Sequence, residues 1–180
     1  VGSTLLALFL HFTLVYMGML LFIGKLKPSV FIRKFAPIFN VCLSTASSSA
    51  ALPLCLEISE EELGASKNIS AFTLPLGSTI NMDGTAIMQG IAVVFIAQIY
   101  HITLSPADYL MVILSAVLAS IGTAGVPGVG IVMLTMVLSS VGLPIEGLAL
   151  IMGVDRIVDM ARTAVNVAGD NVCTLLIAKS

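Results

Sequence analysis

Long runs without any charged residue limit what this chain can fold into more than any other feature. Residues 109–145 form a stretch of 37 residues without Asp, Glu, Lys or Arg, and residues 1–24 form another uncharged run. A helix of 24 residues is about 36 Å long, which is enough to cross the hydrocarbon core of a bilayer. Only 10% of the residues are charged, whereas ordinary soluble domains contain about 25%. The sequence therefore predicts an all-α membrane protein and excludes a typical soluble enzyme.

The remaining charges and the cysteines exclude two further classes. The chain has 8 basic and 10 acidic residues, so it carries no positive excess that could neutralise nucleic-acid phosphates. Cys42, Cys55 and Cys173 lie in apolar runs without a CxxC spacing. They are predicted to be free, buried thiols rather than disulfides or metal ligands. We expect no nucleic-acid partner and no prosthetic cofactor.

Polar interruptions divide the chain into five predicted segments. These are a spanning helix at 1–24, a re-entrant hairpin at 35–56, a broken spanning helix at 68–105, a second re-entrant hairpin at 109–145 and a final spanning helix at 147–178. Each half of the first hairpin has about ten residues, too few to cross a bilayer. If both hairpins return to the side they entered, the loops carry six Lys and Arg inside and none outside, as membrane proteins prefer. Interrupted segments in an inverted arrangement indicate a transporter's binding site.

The last predicted helix carries a polar stripe on an otherwise apolar background. Asp155, Asp159, Arg162, Asn166 and Asp170 lie at offsets of 0, 4, 7, 11 and 15 residues, within an arc of about 80° on a helix. A charge at the bilayer centre costs about 2.5–3.5 kcal/mol, so this stripe cannot face lipid. Ion pairing within the stripe, such as Asp159 with Arg162, is one interpretation. A ligand site is favoured because acids outnumber bases and amides accompany them.

The motif Asn81-Met82-Asp83-Gly84-Thr85 interrupts the third segment. Glycine permits irregular backbone, and unwound carbonyls with a carboxylate and an amide form a hard-oxygen site for a small cation. The alternative interpretation is a kinked helix in which Asp83 pairs with an arginine.

The two hairpin centres have different compositions. Ser47-Ser48-Ser49 offers hydroxyl and backbone N–H donors for an anionic group, although small residues also serve close helix packing. A serine hydrolase needs a base near its nucleophile, and the two histidines, His11 and His101, are predicted to lie toward segment ends as interfacial or core residues. Residues 122–130 are rich in Gly and suit a gate, with a plain loop as the alternative.

Four motifs of this chain together resemble those of the dicarboxylate/amino acid:cation symporter family, the glutamate/aspartate transporter-like proteins. They are Ser47–Ser49, Asn81–Thr85, residues 122–128 and residues 159–167. The motifs occur in the family's order and spacing, and the resemblance covers nearly the whole chain. It implies that residues 1–180 are the C-terminal part of a transport domain with an elevator fold. Both ends lie beside apolar stretches, and the upstream scaffold helices are expected to be missing from this chain.

The resemblance also implies the residues that bind the substrate. Arg162 would clamp the side-chain carboxylate of an acidic amino acid or dicarboxylate, Asp159 would take an amino group, and Asn166 an α-carboxylate. The complete implied substrate-binding set is Ser47, Ser48, Ser49, Thr85, Val126, Pro127, Gly130, Asp159, Arg162, Thr163 and Asn166.

Three coupling-ion sites are implied in the same way. The first consists of Asp170 with backbone oxygens of Gly77, Asn81 and Asn166. The second consists of Thr79, Met82, Ser120, Ile121 and Thr123. Asn81 and Asp83 form part of a third. The ion is expected to be Na⁺, with H⁺ left open.

The expected function is symport of acidic amino acids or C4-dicarboxylates with sodium or protons, by a multi-pass homotrimer in the plasma or inner membrane. The open alternatives are a proton-coupled dicarboxylate or neutral amino-acid carrier of the same family, an intramembrane serine hydrolase and a channel-like ion pathway. The sequence departs from the family at one group: an arginine that members carry before the serine triplet or in the last helix is replaced by Ala46 and Met160. Arg156, one turn earlier, is a candidate substitute.

Overall fold

The computed structural model describes residues 1–121 and 125–179, and this part of the chain contains helices and no β-strand. The predicted all-helical class is therefore confirmed. The helices are α1 (Gly2–Phe22), α2 (Pro28–Thr45), α3 (Ser48–Glu57), α4 (Lys67–Ile80), α5 (Asp83–Ile99), α6 (Pro106–Ile121), α7 (Val129–Ser140), α8 (Leu148–Met152) and α9 (Asp155–Ile177). The described residues also include π-helical stretches at His11–Tyr16, within α1, and at Ile58–Glu62, after α3.

Helices α2 and α3 are joined by a two-residue turn. Pro28 occupies the first turn of α2, where its fixed φ and missing N–H carry no cost. The helix therefore begins seven residues before Phe35, the predicted start of the hairpin. The helix ends at Thr45, and the next residue, Ala46, has left-handed backbone angles of φ 50° and ψ 37°. The Ser47 side chain then caps α3 by accepting a hydrogen bond from the Ala50 N–H at 3.2 Å. The turn places Ser47, Ser48 and Ser49 at the start of α3.

The break between α4 and α5 lies at Asn81 and Met82, whose backbone angles are non-helical. Gly84 lies inside α5 rather than in the break, so its conformational freedom is not what interrupts the helix. Its small size is needed instead, because an added Cβ would stand 2.7 Å from the carbonyl oxygen of Arg162. The break thus begins three residues before the glycine, and the glycine allows α5 to approach α9.

The second pair of apolar helices, α6 and α7, has well-defined starts. Ser105 and Asp108 form a reciprocal cap in which the Asp108 carboxylate accepts hydrogen bonds from the Ser105 N–H and Oγ–H, both at 2.8 Å. These bonds lower the pKa of this exposed carboxyl group. Gly128 precedes α7 with φ 81°, a backbone conformation that L side chains rarely adopt.

Helix α9 is the centre of the structure. It packs against α1, α2, α3, α4 and α5, and most of its side chains are buried between Asp159 and Leu175. One apolar core joins α1, α2, α3 and α9 around Leu20, Ile38 and Ala168. A second core joins α5, α6 and α7 around Val93 and Leu134. The polar stripe of α9 therefore faces protein, as its composition requires.

The outer surface is strongly apolar. Within the described residues, Gly2–Phe22 and Lys67–Ile99 are long and apolar enough to cross a membrane, and α6 and α7 are shorter apolar helices. Phe22 is 80% exposed, and Leu14 and Leu118 are each 70% exposed. Contiguous apolar surface of this extent indicates contact with lipid or with other protein.

Candidate functional site

The α2–α3 turn meets the segment that leads into α7. The Ser47 Oγ–H donates to the carbonyl oxygen of Gly125 at 2.8 Å, and the Ser49 N–H donates to the same oxygen at 3.2 Å. A Cβ on Gly125 would stand 3.1 Å from the Ser48 Cβ. The serine motif and the glycine-rich segment are thus brought together, with the Gly125 carbonyl oxygen accepting from both Ser47 and Ser49.

Arg162 lies at the centre of the polar stripe and is buried. Its Nε and Nη2 donate to Asp159 Oδ1 at 2.9 and 2.7 Å, and its Nη1 donates to Thr85 Oγ1 at 2.8 Å. The other oxygen, Asp159 Oδ2, accepts the Gly128 N–H at 3.0 Å. Gly130 packs so closely on the guanidinium that an added Cβ would overlap it. Asp159 therefore joins the arginine to the start of α7.

Asn166 connects the helix break to the same site. Its Oδ1 accepts the Gly84 N–H at 2.7 Å, while its Nδ2 donates to Thr85 Oγ1 at 3.3 Å and to Met82 Sδ at 3.1 Å. The N–H of Gly84 fixes which way the amide points, because only an oxygen can accept that bond. Thr163 completes the group, with its Oγ1 at 3.5 Å from Asp159 Oδ1.

A cavity of about 10 Å³ lies beside Arg162, Thr163 and Asn166, with room for about one water molecule. The lining residues are Ala46, Ser48, Met82, Gly125, Val126, Arg162, Thr163 and Asn166. Pro127 is exposed and does not line the cavity. A cavity of this size has no room beside Arg162 for a ligand as large as an amino acid.

A second polar cluster lies behind this cavity, around Asp170. The Asn81 Nδ2 donates to Asp170 Oδ1 at 2.9 Å and to the Asn166 carbonyl oxygen at 3.4 Å. Gly77 faces the carboxylate so closely that an added Cβ would be 2.6 Å from Oδ1. The structure thus brings together Gly77, Asn81, Asn166 and Asp170. Asp170 is buried, and no base within residues 1–121 and 125–179 forms an ion pair with it.

The structure brings together only some of the residues implied for the second cation site. Thr79 is exposed and its Oγ1 donates to the Leu76 carbonyl oxygen, while Ser120 is buried and its Oγ donates to the Val117 carbonyl oxygen. Ile121 is exposed. Thr123 lies outside the described residues. In the part of the chain that the structure describes, no three His, Cys, Asp or Glu side chains form a metal-binding group.

Asp83 pairs with two residues that the sequence did not assign to a site. The His11 Nε2 lies 3.1 Å from Asp83 Oδ2, and the Tyr16 hydroxyl donates to the same oxygen at 2.8 Å. The alternative in which Asp83 pairs with an arginine is therefore wrong. So is the placement of His11 near a segment end, because it begins the π-helical stretch inside α1. The sequence feature that could have indicated this contact is a His and a Tyr five residues apart in an otherwise uncharged helix.

Gln89 is a further polar residue that the sequence left unassigned. It is fully buried, and its Nε2 donates to the Gly130 carbonyl oxygen at 3.3 Å. Its position one turn after Thr85 was the available signal. By contrast, Arg156 is exposed and forms no ion pair with any described residue. The sequence interpretation in which it substitutes for the family's arginine at the Met160 face is not supported by this geometry.

Gly84→Ala is expected to lower the free energy of unfolding by about 1–3 kcal/mol, the usual cost of overpacking. The reason is that the new Cβ would meet the Arg162 carbonyl oxygen, which belongs to the backbone and cannot rotate away. Thermal or chemical unfolding of the detergent-solubilised protein measures the effect. Gly90→Ala is the matched control on the same helix, because nothing lies within 4 Å of its added Cβ. Equal effects of the two substitutions would contradict the close approach of α5 to α9.

Comparison with known proteins gives consistent matches. A family model described as the sodium:dicarboxylate symporter family matches residues 1–180. The chain is 45% identical over 170 residues to the proton/glutamate-aspartate symporter of Escherichia coli K12, covering 94% of this chain and 39% of that protein. It is 47% identical over 146 residues to an excitatory amino acid transporter of Caenorhabditis elegans, covering 81% and 29%. It is 38% identical over 169 residues to human excitatory amino acid transporter 1, covering 94% and 31%. The chain therefore spans about a third of the length of the curated relatives it matches.

Proposed function

The chain belongs to the sodium:dicarboxylate symporter family, and on this basis we propose that it forms the substrate- and cation-binding part of a symporter for aspartate or glutamate. Relatives named as glutamate-aspartate and excitatory amino acid transporters support this substrate class. Membership of a transporter family also removes the reason to interpret Ser47–Ser49 as a hydrolase nucleophile. No base lies within hydrogen-bond distance of these serines among the described residues.

The buried pair of Arg162 and Asp159 is the observation that carries the proposal. Both residues are at most 3% exposed, and a buried charge that loses its partner is strongly destabilised. A ligand that separates the pair must therefore bring both a carboxylate and an ammonium group. An acidic amino acid does so, because its side-chain carboxylate matches the guanidinium fork and its ammonium group matches Asp159. A dicarboxylate without an amino group would leave Asp159 unpaired.

The remaining substrate contacts are proposed from the same cavity. Asn166 Nδ2 and the Thr85 and Thr163 hydroxyls are polar groups of α5 and α9 that lie beside Arg162. The N–H groups at the start of α3 supply donors for the α-carboxylate. Val126, Pro127 and Gly130 belong to the segment that would close over a bound ligand. We propose that this segment opens and closes as a gate.

Cation coupling is proposed for the cluster around Asp170. A buried carboxylate without a base in the described structure is stabilised by a cation. The Asn166 carbonyl oxygen lies near it, because Asn81 Nδ2 donates to both groups, and Gly77 packs against the carboxylate. Asp83 would contribute to another site at the same helix break. The proposed cation and substrate sites share Asn166, which couples them, and the factor by which one ligand changes the affinity for the other is reciprocal. Thr79, Met82, Ser120, Ile121 and Thr123 are proposed to form a site that is completed when the gate closes.

Sodium is the proposed coupling ion, with the proton as a second candidate. The family description names sodium, whereas the Escherichia coli relative is named a proton symporter. A buried Asp170 is compatible with either ion, since protonation also neutralises it.

The arrangement in the membrane is proposed from the helices and the closed junction between them. We propose spanning segments at 1–24, 68–105 and 147–178 and re-entrant hairpins at 35–56 and 109–145, whose tips meet where Ser47 contacts Gly125. This core would move as a unit in an elevator mechanism. It would assemble in a plasma or inner membrane as a homotrimer.

Radiolabelled aspartate uptake into proteoliposomes tests the function, with the full-length chain under an imposed sodium gradient, an imposed proton gradient or neither. Uptake is expected under the sodium gradient. Excess succinate is expected to inhibit at least 10-fold more weakly than excess glutamate, because an unpaired charged group costs about 1.5–3 kcal/mol. Uptake that follows the proton gradient alone would show that the coupling ion is the proton and not sodium. Absence of aspartate uptake under every gradient would contradict the function.

A further inference from the structure

Two aromatic side chains of α1 converge on a single carboxylate oxygen. The Tyr16 hydroxyl and His11 Nε2 both contact Asp83 Oδ2, at 2.8 and 3.1 Å. The two rings pack edge to face, with centroids 4.8 Å apart. They lie at the two ends of the π-helical stretch His11–Tyr16. This stretch widens the helix turn and presents both rings to α5 at the point where the chain is broken.

The Tyr16 hydroxyl is held from the other side as well. The residue is 2% exposed, whereas the side chains of His11 and Asp83 are 21% and 41% exposed. Gly169 of α9 leaves room for the hydroxyl, because an added Cβ there would overlap it and would lie 2.6 Å from Asn81 Nδ2. The phenol therefore lies between Asp83 and the Asn81 amide that contacts Asp170. Its hydroxyl has little freedom to turn away from Asp83.

Both contacts use Oδ2, and no described residue donates a hydrogen bond to Oδ1 of Asp83. A carboxylate held in this way keeps one oxygen free for a cation while its orientation is restricted. Neighbours that orient a ligand carboxylate typically raise metal affinity by about 10–100-fold. We infer that Tyr16 is a positioning residue that holds Asp83 for the binding of a coupling cation, with His11 as a weaker second support. This inference rests on the proposed cation-coupled function.

Tyr16→Phe tests the inference because it removes one hydroxyl and keeps the buried ring. The full-length protein is purified, and its melting temperature is followed as NaCl replaces choline chloride, without amino acid present. A cation that binds only the folded state raises the melting temperature. Tyr16→Phe is expected to raise the sodium concentration for half-maximal stabilisation by about 10-fold, with little change of the melting temperature in choline chloride. Tyr109→Phe is the matched control, since Tyr109 is exposed and its hydroxyl loss is expected to change neither quantity.

A purely structural role of Tyr16 gives the opposite pattern. In that case the melting temperature falls in choline chloride while the sodium dependence stays as in the wild type, and the inference is overturned. A double-mutant cycle adds a second criterion: in an Asp83→Asn background, Tyr16→Phe is expected to have no further effect on the sodium dependence. An undiminished effect in that background would also overturn it.

Two further outcomes keep the inference separate from the proposed function. If the wild-type protein shows no response to sodium, the sodium-coupled function fails and the inference fails with it. If the wild type responds and Tyr16→Phe responds equally, only the inference fails. Should Tyr16→Phe not yield folded protein, His11→Phe removes the partly exposed donor instead. It is expected to shift the sodium dependence in the same direction by a smaller factor, and an unshifted dependence would overturn the inference.

Discussion

Arg162→Lys is expected to lower the kcat/KM of aspartate uptake by at least 100-fold. Lysine keeps the positive charge, so Asp159 retains a counter-ion and the protein is expected to fold. A single ammonium group cannot reproduce the fork that donates through Nε and Nη2 to Asp159 and through Nη1 to Thr85. Losing about two charge-assisted hydrogen bonds of about 1.5–3 kcal/mol each corresponds to at least 100-fold.

The measurement is concentration-dependent uptake of radiolabelled aspartate by the full-length chain in proteoliposomes. Arg156→Lys is the matched control, because Arg156 lies on the same helix, is exposed and forms no ion pair with any described residue. It is expected to leave uptake unchanged. If Arg162→Lys transports aspartate at the wild-type rate, the guanidinium is not the substrate clamp, and the geometry around Asp159 serves structure alone.

Asp170→Asn is expected to raise the sodium concentration for half-maximal aspartate uptake by at least 100-fold. The substitution removes one buried charge and keeps the shape of the side chain. Its amide oxygen can still accept the hydrogen bond that Asn81 Nδ2 donates to Asp170 Oδ1 at 2.9 Å. A cation at this site would lose its buried counter-charge, and breaking such a buried pair costs about 3–5 kcal/mol.

The same substitution is expected to weaken sodium binding but not to lower the stability of the sodium-free protein. Because the described structure provides no base for Asp170, the uncompensated charge is unfavourable in the absence of a cation. The melting temperature of Asp170→Asn in sodium-free buffer is therefore expected to equal or exceed that of the wild type. Asp108→Asn, in an exposed helix cap, is the control and is expected to leave the sodium dependence unchanged. An unaltered sodium dependence of Asp170→Asn would remove this carboxylate from the cation site.

The helical class and the general location of the site follow from local features of the sequence. The uncharged runs require helices that face lipid or protein, and the spacing of Asp159, Arg162 and Asn166 requires one polar face. Both properties depend only on composition and on the 3.6-residue period. The break at Asn81 and Met82 was predicted within its motif, although Gly84 was given the wrong role in it. The glycine allows close contact between α5 and α9, and such a contact cannot be predicted from a local sequence pattern.

The hydrogen-bond partner of each polar atom could not be predicted from these local sequence features. Asp83 had arginine as its expected alternative partner and instead has Tyr16 and His11. The reason is that a π-helical stretch shifts which residues of α1 face α5, and periodicity analysis assumes a uniform helix. Gln89 was overlooked because its position one turn after Thr85 does not reveal its partner, the Gly130 carbonyl oxygen, which lies 41 residues further along the chain.

The sequence by itself determined that this protein is a bundle of apolar helices with one polar stripe and a small set of polar interruptions. Those conclusions rest on the cost of placing charge and unpaired backbone in an apolar medium, which depends on residue type alone. Tertiary structure decided that Arg162 donates to Asp159 and Thr85 and that Ser47 and Ser49 contact Gly125. It also decided that no base among residues 1–121 and 125–179 forms an ion pair with Asp170. Hydrogen bonds are effective only within about 3.5 Å, and these distances are set by how helices far apart in the chain pack together.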